Sequence, residues 1–155
     1  DRQSYCTHGQ VQKCADRYTQ VLLPNQMESN GSFPRELQRT KPYGYALFNL
    51  DAMTMICQIL SKTNPPLWQY TLPDGRTIKK GVDFMVPYIA DKQKWPYLKD
   101  VMYWDQWPIA HPALVFSATA FQNKAYLQLW KKLDHAPEQE EVVRNLPIRN
   151  PIIWL

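Results

Sequence analysis

The chain has 155 residues and a formal net charge of +4, with 45% apolar and 21% charged residues. That length fits one domain with a sizeable core, and the composition argues against disorder. Lys and Arg are spread along the chain without a helix-turn-helix, zinc-finger or stacking-platform signature, which argues against a nucleic-acid reader, and no apolar run is long enough to span a membrane.

Val11, Cys14, Ala15, Tyr18, Val21 and Leu22 recur at helical spacing, and Pro24-Asn25 is expected to stop that helix. Asn30-Gly31 marks a turn, and Pro34 starts the next segment. The strongest pattern runs from Tyr45 to Leu60 through Ala46, Leu47, Leu50, Met53, Thr54 and Cys57. It predicts an amphipathic to largely buried helix, ended by Asn64-Pro65-Pro66. Asp74-Gly75 is a tight turn within a hairpin or loop. Helical spacing resumes from Ile78 to Ile89, where Pro87 is expected to kink or end the helix.

Lys92 to Trp107 is irregular and rich in Trp and Tyr. Pro108 or Pro112 opens a helix through Leu114, Val115, Ala118 and Phe121, and Asn123 caps another over Ala125 to Leu133. A short acidic-first helix is predicted from Glu138 to Arg144, and the apolar tail from Leu146 to Leu155 is expected to pack down as a strap. The fold class is mainly α, with helices joined by long aromatic loops. The six Trp and nine Tyr often lie beside Pro, Asp or Gln, which predicts that many line a surface.

Cys6, Cys14 and Cys57 are odd in number and lack CxxC spacing, which argues against a disulfide framework and a structural zinc site. Cys14 and Cys57 fall in helical patterns, where a buried thiol is expected. The three His are isolated, so no metal is expected, and no cofactor motif appears.

Two clusters carry candidate chemistry. In the first, Arg35, Arg39 and Lys41 stand just before Tyr43, Tyr45 and Asn49 at the mouth of the long helix. The cations can hold an anion, and either phenol can move a proton or stack on a sugar. In the second, Tyr103, Trp104 and Trp107 can stack on sugar faces while Asp105 and Gln106 read hydroxyls. Packing in the core is the competing role for each Trp. His111, between two prolines, can reach a cleft as a proton carrier, because an unperturbed His titrates near neutrality. Asp51 and Asp105 form a conceivable hydrolase pair, but nothing in the sequence sets their separation.

Arg39-Thr40-Lys41, Tyr45, Asn49-Leu50 and Asp100-Val101-Met102-Tyr103-Trp104-Asp105-Gln106-Trp107-Pro108 together resemble the C-terminal half of the alginate lyase family. Gly31 to Leu37 and Leu146-Pro147-Ile148-Arg149 fit the same pattern, so the resemblance runs from about Cys14 to the end. It implies a partial (α/α) toroid: one domain over 1–155, with the N-terminal part of the toroid missing. It implies β-elimination on a 4-linked uronic acid polymer, alginate or a polyglucuronate-like polysaccharide, by a periplasmic or secreted protein.

The resemblance assigns the catalytic tyrosine to Tyr45 and its preceding arginine to Arg39, with Tyr43 as the alternative. Arg35 and Lys41 become candidates for subsite carboxylates. Family members also carry an upstream Asn-His motif, and no Asn-His pair occurs in this chain. A non-catalytic carbohydrate-binding or structural remnant is therefore the alternative function. The sequence leaves the oligomeric state open.

Overall fold

The computed structural model describes residues 8–63 and 66–155. Cys6 and the Asn64-Pro65 breaker lie outside the described residues.

Helix α1 (His8–Arg17) passes through a π-helical turn at Tyr18–Leu22 and continues as α2 (Leu23–Gln26). Pro24 therefore does not stop the helix at residue 22. A proline ring normally collides with the carbonyl four residues back. Here the wider π turn, in which Leu23 N–H donates to Tyr18 O, precedes it, and Pro24 sits in the first turn of α2. Arg76 meets the carbonyls at the far end, donating to Pro24 O at 2.8 Å and also to Met27 O. Gly31 closes the following turn at φ 89°. A Cβ there would lie 2.1 Å from Lys80 O, so only glycine fits.

Helix α3 (Pro34–Leu37) leads into α4 (Pro42–Ile59), which starts ahead of the predicted Tyr45 because Pro42 supplies a fixed helical φ in the first turn. The Asp74-Gly75 element is a loop turn, closed by Leu72 N–H to Arg76 O at 2.9 Å; no strand occurs among the described residues. Helix α5 (Ile78–Ala90) is capped by Thr77 and runs three residues past Pro87, whose ring stays exposed. The segment that follows is irregular, with 3-10 turns at Lys92–Lys94 and Trp104–Gln106.

Helix α6 (Pro112–Ala120) is buried all round from Pro112 to Ala118, as a central helix must be. It packs against α4, α5 and α7 (Lys124–Lys131), while α4 also packs against α3 and α5. Asn123 Oδ1 accepts Ala125 N–H at 2.9 Å, the predicted cap. Helix α8 (Glu140–Asn145) begins two residues later than predicted, because the Gln139 side chain caps it by accepting Val142 N–H at 2.9 Å.

Three expectations about burial are corrected. Trp68, Trp95, Trp107 and Trp130 belong to the core, so most tryptophans pack rather than line a surface. Cys14 is exposed on α1, whereas Cys57 is buried on α4. The tail buries Pro151 but leaves Ile152 to Leu155 exposed, tied down through Gln58 Nε2 donating to Trp154 O at 2.7 Å.

Candidate active site

The start of α4 is held from a distance. Its first backbone donors need acceptors that its own helix does not provide. The Asp100 carboxylate supplies them, accepting Tyr43 N–H at 2.7 Å and Gly44 N–H at 2.9 Å. Val101 N–H donates to Thr40 O at 3.1 Å, so the aromatic loop is laced to the segment carrying Arg39 and Lys41. Gly44 permits the approach: a Cβ there would lie 2.8 Å from Trp107 Nε1 and 2.9 Å from Asp100 Oδ2. Burial pushes the Asp100 carboxyl above its ordinary pKa, against the pull of these two backbone hydrogen bonds.

Tyr45 is half-buried beside this anchor and gathers the cations. The Arg39 guanidinium carbon stands 3.5 Å from the Tyr45 ring centroid. Lys41 Nζ lies 5.0 Å from the same ring and 5.1 Å from the ring of Tyr103. Both cations are paired: Arg39 with Glu36 at 3.1 Å, and Lys41 with Glu141 on α8. Burial alone would lower the Lys41 pKa, but the Glu141 carboxylate and the Tyr45 phenol outweigh it and the net shift is upward. Lys41, Gly44, Tyr45, Trp107, Glu141 and Asn145 line a small crevice at this point. Asn49 lies one helical turn beyond Tyr45, with its amide directed at Met53 Sδ 3.7 Å away.

Tyr43 faces the opposite way. It is fully buried, its hydroxyl donates to Tyr88 O at 2.9 Å, and its ring packs against Trp95 and Trp104. Burial, then the Asp100 carboxylate, pushes its pKa well above the ordinary phenol value. Tyr43 is a core residue, and its expected contact with substrate is corrected accordingly.

The second cluster divides. Tyr103 and Trp104 are half-buried, and Trp104 has Lys92 Nζ 4.8 Å and Lys99 Nζ 5.6 Å from its ring centroid. Asp105 and Gln106 are exposed on the 3-10 turn, and Arg35 is exposed on α3. Trp107 is 5% exposed and stacks on His111, which corrects its expected role as a sugar platform.

His111 is likewise corrected from cleft residue to core residue. Its Nε2 accepts Ile109 N–H at 3.3 Å, so Nδ1 carries the proton and donates to Asp51 Oδ2 at 2.7 Å. Asp51 Oδ1 accepts Ala113 N–H at 3.0 Å. Both side chains are buried and committed, which also removes Asp51 from a hydrolase pair.

The residues brought together are Arg39, Lys41, Tyr45 and Tyr103, an arrangement able to hold an anion beside a phenol. Sequence reasoning missed Asp100 as the anchor and Glu141 as the partner of Lys41. Glu141 is 100 residues from Lys41, and no local signal joins them. A separate cavity of about 430 Å³ lies along the chain flanking α8, lined by His135, Pro137, Glu138, Leu146, Arg149 and Asn150. Among the described residues no His, Cys, Asp or Glu cluster could hold a metal, and no helix is long and apolar enough to cross a membrane.

A family model described as alginate lyase matches residues 7–95, which includes the Arg39–Tyr45 segment but not the second aromatic loop. Among solved structures, an alginate lyase from Bacteroides ovatus superimposes with a TM-score of 0.63 over 88% of this chain at 24% identity. That likeness establishes the shared fold, mainly α and part of an α/α toroid. This chain covers 36% of the length of that structure's chain. No curated protein matches.

Proposed function

The chain belongs to the alginate lyase family, and we propose that it carries part of an active site that cleaves a 4-linked uronic acid polymer, alginate or a related polyuronate, by β-elimination. The observation that carries this reading is the Arg39 guanidinium 3.5 Å from the Tyr45 ring centroid, with the Lys41 ammonium 5.0 Å away. The C5 proton of a uronate is weakly acidic because the adjacent carboxylate is already negative. Arg39 neutralises that carboxylate and lets the developing enolate spread onto it. Tyr45 as phenolate takes the C5 proton and, as phenol, returns a proton to the departing O4. The C5–H and C4–O4 bonds break, a C4–C5 double bond forms, and no external co-reactant is needed.

Lys41, Asn49, Tyr103 and Trp104 would line the path of the sugar chain, and the exposed Arg35, Asp105 and Gln106 would meet its outer groups. The chain would form a single domain contributing one portion of a toroid, in a periplasmic or secreted protein. The second reading is a domain that binds polyuronate without turning it over.

The test is incubation of this protein, and of a version extended upstream, with alginate and with polyglucuronate, following ultraviolet absorbance of the unsaturated product. A rise that Tyr45→Phe removes is expected. No rise from either protein on either polymer overturns elimination, and calorimetric binding without turnover supports the second reading.

A further inference from the structure

Of the two cations on the Tyr45 ring, Lys41 is held the more tightly inside the fold. Arg39 shares an exposed pair with Glu36, with side chains 51% and 23% accessible. Lys41 and Glu141 are 15% and 12% accessible. We propose that Glu141 is a placeholder carboxylate: in the free protein it occupies the position on Lys41 that a uronate carboxylate takes on binding, so that only an acidic sugar opens the crevice. This rests on the reading of the Tyr45 cluster as a polyuronate site.

The hydrogen bonding around Glu141 is lopsided in the way such an exchange needs. Its Oε1 accepts from Lys41 and from Asn145 Nδ2 at 3.2 Å, while its Oε2 accepts from Arg144. On losing Lys41 it therefore keeps two donors on its own helix. Lys41 is the partner that would be stranded, because a part-buried cation without a counter-charge is costly. A second carboxylate replaces Glu141 without changing the charge balance at Lys41. A neutral sugar offers only hydroxyl dipoles and cannot compensate for the lost ion pair.

The position fits as well. Glu141 lines the same crevice as Lys41, Gly44 and Tyr45, so a ligand carboxylate entering that crevice meets Lys41 beside Glu141 and competes with it for the ammonium. Helix α8 is only six residues long, and it buries Val142 alone. A small displacement of its Glu141 face disturbs little of the core.

The experiment is calorimetric titration of saturated mannuronate, guluronate and glucuronate oligosaccharides into wild type, Glu141→Gln and Lys41→Met at one ionic strength. Glu141→Ala serves as a second variant, and thermal melts check that each is folded. Binding tighter than wild type by about 5-fold in Glu141→Gln, the scale of one released ion pair, is expected. Lys41→Met is expected to bind more weakly than wild type. Equal or weaker binding by both Glu141 variants, while wild type binds, overturns the placeholder and leaves the polyuronate reading standing. No binding by any of the folded proteins overturns the polyuronate reading and the placeholder with it.

Discussion

Asp51 Oδ2 lies 2.7 Å from His111 Nδ1, and these two buried side chains join the middle of α4 to the start of α6. The same carboxylate accepts Ala113 N–H, so it also satisfies one of the first donors of α6. Asp51→Ala strands both donors in the core and is expected to cost about 1–3 kcal/mol for each in chemical denaturation. His111→Gln should lower stability too, yet leave the shape of any pH–activity profile unchanged. Loss of a limb from that profile would return His111 to the chemistry.

Tyr43 and Tyr45 should separate cleanly on substitution. Tyr45→Phe is expected to lower turnover by about 10²–10⁴-fold, the scale of general acid–base catalysis, with little change in melting temperature. Tyr43→Phe leaves Tyr88 O without its donor and should cost about 1–3 kcal/mol of stability while preserving turnover per folded molecule. The reverse pattern would reassign the proton transfer.

Arg39→Lys keeps a positive charge but loses the planar group that covers the Tyr45 ring. If that group neutralises the uronate, Arg39→Ala should lower kcat by about 10²-fold or more, and Arg39→Lys should recover only part of it. Full activity in Arg39→Ala, read by the absorbance assay, would remove Arg39 from the site.

Gly44 is a test of the anchor. Gly44→Ala places a methyl against Trp107 Nε1 and Asp100 Oδ2, and should destabilise the protein by about 1–3 kcal/mol. Because the aromatic loop and the start of α4 share this contact, proteolysis within 100–107 should accelerate with it. A variant as stable and as protease-resistant as wild type would show that the loop is held by other contacts.

The Glu141 pair should give stability a pH signature. Its hydrogen bond from Lys41 leads the interactions that hold the Glu141 carboxyl below its ordinary pKa. A carboxylate whose folded pKa is depressed stabilises fully above its unfolded pKa, and that contribution is lost as pH falls through the folded value. The melting difference between wild type and Glu141→Gln should therefore be full at neutral pH and shrink below the ordinary Glu range of about 4.3. A difference that stays constant with pH would mean the pair adds no stability.

Local signals placed most helices because they need only neighbours. Asn123 and Thr77 cap through side chains within a few residues, and the apolar runs of α4, α5 and α6 are read at helical spacing. Pro24 misled because a proline stops a helix only when the preceding turn cannot adapt, and the π turn at Tyr18–Leu22 adapts for it. His111, Trp107 and Asp51 read as site residues because their types suit chemistry. Their burial depends on α4 meeting α6, a contact that no local pattern encodes.

The sequence by itself determined the mainly α class, the family likeness, and the cluster of Arg39, Lys41 and two tyrosines at one helix mouth. Only the tertiary structure decided which tyrosine faces inward: α5 and the aromatic loop bury Tyr43 against Tyr88, Trp95 and Trp104, leaving Tyr45 under Arg39. It alone brought Asp100 and Glu141 to the site, because charges meet through space and not along the chain.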